Sequence, residues 1–100
     1  MLNSKQRAFL RGLANRIETI LIVGKGEITD NIIKQADDAL TAREIIKGKV
    51  LENSAYSSRE AAEAIAEKCS ADVVQVIGSK FVLYRRNDDE PVIELPKAKK

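Results

Sequence analysis

The ten residues from Ile20 to Thr29 constrain this chain more than any other stretch. Ile20, Leu21, Ile22 and Val23 are apolar and three of them are β-branched, which suits a short strand buried on both faces of a parallel or mixed sheet. Gly24 and Gly26 follow, flanking Lys25, and glycine lets a backbone turn sharply or approach a ligand closely. Thr29 reads as the N-cap of a helix opening with Asp30, with Ile28 and Ile33 placed to clasp as a hydrophobic staple. Strand, glycine turn and helix start together bring free N–H groups and the positive dipole end beside a lysine. That is a place to hold a phosphate.

The remaining elements follow from periodicity. Ser4 caps a first helix running to about Asn15, with Phe9, Leu10, Leu13, Ala14 and Ile17 on its apolar side. Gly12 inside that helix calls for a packing reason. A second helix runs from Asp30 to about Ala42, and Glu44–Leu51 reads as a strand in which Gly48 marks a bulge or a close backbone approach. Ser57 and Glu60 form a capping box for a third helix whose buried side includes Ala61, Ala62, Ile65, Ala66 and Cys69. Asp72–Ile77 and Phe81–Arg86 form a hairpin about Gly78-Ser79. In that register Val74, Val76, Phe81 and Leu83 face the core, while Gln75, Lys80, Val82, Tyr84 and Arg86 face solvent or RNA. Residues 87–100 read as a loosely docked tail. The order α-βαβαββ calls for an α/β two-layer fold with a four-stranded mixed sheet.

Composition narrows the chemistry. The chain has no histidine and one cysteine, so no histidine-based triad or metal site can be built, and Cys69 reads as a core residue. Asp37-Asp38 and Asp88-Asp89 read as solvated acids. No catalytic residue, metal or cofactor is expected. The pattern around Gly24 is not a phosphate-transfer loop, and it departs from the dinucleotide fingerprint in lacking the third glycine and in where Glu44 falls. No stretch is long enough for a membrane span or a signal peptide, and the unpaired cysteine fits a reducing compartment, so a cytoplasmic monomer is expected. Net charge is +2, yet Lys5, Arg7, Arg11 and Arg16 all precede the first acid, Glu18. That polarity fits a polyanion partner.

Several stretches in order carry a family resemblance: Lys5-Gln6-Arg7 with Phe9-Leu10-Arg11, Val23-Gly24-Lys25-Gly26, Arg43-Glu44-Ile45-Ile46-Lys47, Val74-Gln75-Val76-Ile77-Gly78, Val82-Leu83-Tyr84-Arg85 and Ile93-Glu94-Leu95-Pro96. The chain resembles the bacterial YhbY-type proteins, stand-alone CRM (chloroplast RNA splicing and ribosome maturation) domains. The resemblance covers residues 1–96 as one domain and leaves 97–100 as a basic tail. It implies a fold similar to the C-terminal domain of translation initiation factor three, and an RNA-binding role on ribosomal RNA in large-subunit precursors. The family's G-x-x-G loop falls on Gly24, Lys25, Gly26 and Glu27, with glutamate where the family has its second glycine.

The expected site is therefore Gly24, Lys25 and Gly26 holding phosphate, with Arg7, Arg11, Lys47 and Lys49 as flanking contacts. Two alternatives stand beside it. One is an adaptor docking its first helix or its Tyr84 face on a ribosomal protein; the other is a small nucleotide-binding domain.

Overall fold

Each helix of the chain starts where a side chain accepts the first free N–H groups. In the computed structural model, which describes residues 2–24, 28–87, 89 and 93, α1 spans Ser4–Ala14, α2 Asp30–Arg43 and α3 Ser58–Cys69. Thr29 Oγ1 accepts from Ile32 N at 3.3 Å, and Ser57 and Glu60 close their capping box as expected. At α1 the cap is Asn3, one residue earlier than the expected Ser4. The reason lies three residues on, where Gln6 returns a bond to Asn3 N at 3.2 Å, whereas Ser4 would find Arg7, which has no acceptor.

The strands are β1 (Thr19–Val23), β2 (Ile45–Val50), β3 (Asp72–Ile77) and β4 (Lys80–Tyr84), in the spatial order β1-β2-β4-β3. β1 runs parallel to β2, while β4 is antiparallel to both of its neighbours, so the sheet is four-stranded and mixed. The hairpin inserts β4 between β2 and β3. A helix is about 10 Å across and strands lie about 4.8 Å apart, so two helices suffice to cover four strands. α2 and α3 do so on one face, over a core that includes Leu21, Leu40, Ile46, Ile65, Phe81 and Leu83. Gly48 sits opposite Phe81, and a Cβ built there would lie 2.3 Å from the ring, so the expected close approach is real.

α1 packs on the other face, where Leu10 and Ala14 meet Ile45, Val74, Val82 and Tyr84. Two expectations fail there. β1 is an edge strand whose Ile20 and Ile22 are exposed, because α1 reaches β2, β3 and β4 and stops short of β1. The hairpin register holds as far as Gln75↔Val82. Beyond that a bulge between Val73 and Gln75 puts Val73 opposite Leu83, so Val73 joins the main core and Val74 turns to the α1 side. One extra residue reverses the alternation, since side chains change face every residue. Val82 and Tyr84, expected to be open, are buried under α1.

Two further findings concern polar groups. Asp37 is exposed, as expected, but is also paired: its Oδ1 accepts from Arg85 Nη1 at 2.6 Å, and the same guanidinium reaches Cys69 O at 2.9 Å and Thr41 Oγ1 at 2.8 Å, tying α2 to the end of α3. Glu44 does not open β2. It ends α2 with φ +64, fully buried, and its carboxylate accepts from Asn87 N at 2.7 Å and Ile93 N at 2.6 Å. The chain after β4 is thus anchored at two points; residues 97–100 and Asp88 lie outside the described residues. No packing reason for Gly12 is found, as a Cβ there would meet nothing within 4 Å.

Candidate nucleic-acid interface

The end of β1 and the start of α2 are joined by only a few residues, so the strand must deliver the chain to the helix N-terminus within a short loop. Gly24 leaves β1 beside Leu51, which donates its backbone N–H to Val23 O at 2.9 Å. A Cβ on Gly24 would lie 3.6 Å from Leu51 Cδ1, an ordinary contact. The fold therefore does not require glycine at this position. Lys25 and Gly26, with Glu27, lie outside the described residues.

The expected flanking cations divide into three groups. Lys49 is near the loop: its Cα partner is Ile22, and Gly24 is two residues further along β1, about 7 Å. Lys47 lies on the same face, but its Nζ donates to Ala14 O at 3.0 Å, capping the carbonyl end of α1. Arg7 lies away from the loop. It donates to the carbonyls of Val73 and Val74, the latter at 3.4 Å, where the bulge in β3 turns them outward. As β1 and β3 are opposite edges of the sheet, Arg7 fastens α1 to the far edge. Arg11, half-buried, is four residues beyond Arg7 and three before Ala14, so it falls between these two anchor points on the same side of α1.

Lys80 completes the picture, and sequence reading had placed it only among the residues of the hairpin's outer side. It is the direct cross-strand partner of Lys49. The signal was available in the hairpin register, but not the pairing of β4 with β2, which joins segments thirty residues apart.

Cys69 Sγ is buried against Ile33 O at 3.7 Å. Burial pushes its thiol up from the ordinary 9.0, Asp37 adds to the rise, and Arg85 opposes it. That thiol is a poor nucleophile. Among the described residues no cluster of three or more His, Cys, Asp or Glu could hold a metal, and no helix is long and apolar enough to cross a membrane. Glu44, the acid considered for a nucleotide ribose, is committed to the chain's own backbone.

Comparison with known proteins adds a separate line. The family model described as the CRS1 / YhbY (CRM) domain matches residues 2–85. The chain is similar to the Bacillus subtilis "Probable RNA-binding protein YqeI", with 44% identity over 96% of this chain and 100% of the relative. An "RNA-binding protein" of Haemophilus influenzae is 33% identical over 96% of each chain. The solution structure of the Staphylococcus aureus protein SAV1595 superposes with a TM-score of 0.79 at 47% identity, covering 96% of this chain and 100% of that one.

Proposed function

The chain belongs to the CRS1 / YhbY (CRM) domain family, and from that premise we propose that it is a non-catalytic RNA-binding protein. One observation carries the reading: Gly24 and Lys49 lie at the end of the sheet from which the chain enters α2, where a Cβ on Gly24 would make only an ordinary contact. Backbone N–H groups and the helix dipole there favour a phosphate oxygen, and ammonium groups nearby supply the charge. In this reading Gly24, Lys25 and Gly26 hold the backbone, Lys49 flanks it, Arg7 and Lys47 keep α1 in place, and Arg11 lies on α1 away from the turn. The RNA is ribosomal, in precursors of the large subunit, as the family resemblance implies.

The rival reading, an adaptor on a ribosomal protein, loses one of its two surfaces because Tyr84 is buried under α1. Ultraviolet crosslinking in cells, followed by sequencing of the RNA and mass spectrometry of the crosslinked peptides, tests the proposal. Large-subunit precursor sequences and crosslinks on the segment around Gly24 and Lys25 are expected. Crosslinks confined to the outer sides of α2 and α3 would overturn it.

A further inference from the structure

The sheet face that carries α1 is only half covered. α1 lies over the start of β2, the end of β4 and the start of β3, and the other half is crossed by one row of directly paired residues: Ile22, Lys49, Lys80 and Ile77. Ile22 and Ile77 are 48% and 63% exposed, and Lys80 is exposed as well. Paired residues in a sheet point to the same side, with Cβ atoms about 5 Å apart, so the two ammonium stems rise together. Like charges placed directly opposite destabilise a sheet. Neither lysine has an ion-pair partner among the described residues, and the one acid in the four strands, Asp72, is at the far end opposite Tyr84.

We propose that this row is a second RNA contact, in which Lys49 and Lys80 hold a phosphate between them while Ile22 and Ile77 pack against the adjoining sugar and base. It rests on the RNA reading above and extends it from the glycine turn across the sheet to β3. An anion between the two ammonium groups relieves the repulsion that the free protein carries, so the pair is matched to a polyanion. The exposed isoleucines fit an unstacked nucleotide, which offers apolar faces beside its charge.

The test measures binding of protein-free 23S ribosomal RNA by filter retention from low to moderate salt, together with thermal melts. Lys49→Ala and Lys80→Ala are each expected to lower affinity roughly fivefold at about 0.1 M salt and to reduce the salt slope by about 0.7. Lys80→Glu is expected to bind more weakly still, yet to melt about 1–5 °C higher, as it faces Lys49 with an opposite charge. Arg59→Glu on α3 makes the same change of net charge away from this face and should stay within about twofold of the parent. If the parent binds and Lys80→Glu and Arg59→Glu lose affinity equally, or neither loses any, the row is no RNA contact and the glycine-turn reading stands alone. If the parent itself does not bind, both fail. A lower melting temperature for Lys80→Glu would remove the repulsion from which the proposal starts.

Discussion

Three glycines show how differently one residue type can matter. At Gly48 a methyl group would enter the Phe81 ring, so Gly48→Ala should cost about 1–3 kcal/mol by overpacking. At Gly12 the space is open and the position exposed, so Gly12→Ala should stabilise the helix by about 0.5–1 kcal/mol. Gly24 lies between these cases. Gly24→Ala should leave the melting temperature within about 2 °C of the parent, since its methyl meets only Leu51 at an ordinary distance, while weakening RNA binding if the turn holds a phosphate as proposed. Urea unfolding of the three variants, with RNA titration of the last, checks the set; a Gly24→Ala protein that binds normally would take the turn out of the interface. Cys69 gives a pH test of its burial. A thiol whose folded value is raised favours the folded state below the ordinary 9.0, and that contribution fades as pH rises through the raised value. Parent stability should therefore fall relative to Cys69→Ala above about pH 9, and parallel curves would contradict the buried placement.

At the scale of elements, local signals were legible and pairings were not. Thr29, Ser57 and Glu60 announced their helices, and the apolar spacing from Ala61 to Cys69 named the buried side of α3. The Gly78-Ser79 turn was legible too, since Gly78 has the positive φ of +57 that a tight hairpin favours. The bulge at Val74 left no such trace, as Val73 and Val74 are the same residue type and either could face the core. The exposure of Ile22 likewise depends on where α1 stops, a tertiary fact. Of the candidate site, Gly24 was legible as the residue that leaves β1, whereas Lys80 had to wait for the sheet order and Arg7 proved to be a fastener. Glu44 was missed as an anchor because its two partners, Asn87 and Ile93, lie more than forty residues away. Glu44→Ala leaves those two part-buried N–H groups without this acceptor, so it should destabilise by about 1–3 kcal/mol and loosen the chain after β4. Hydrogen exchange at Asn87 and Ile93 reads this directly; unchanged protection would mean that other contacts hold the segment.

Over the whole molecule the two faces of the sheet divide the work. α2 and α3 bury one face and carry acids on their outer sides, among them Asp38, Glu60, Glu63 and Glu67. The other face, with α1 across half of it, carries Lys47 beside the start of β1, Lys49 beside its end, and Lys80 paired with Lys49. A net charge of only +2 therefore conceals a polarised molecule, which can orient on a polyanion without being strongly basic overall. The measurement that bears most directly on this account is the salt dependence of RNA binding by the intact chain. With three to five phosphates neutralised, log K should fall with log salt at a slope of about −2 to −3.5, and Lys25→Ala should reduce the magnitude of that slope by about 0.7. An RNA affinity that does not change with salt would contradict it.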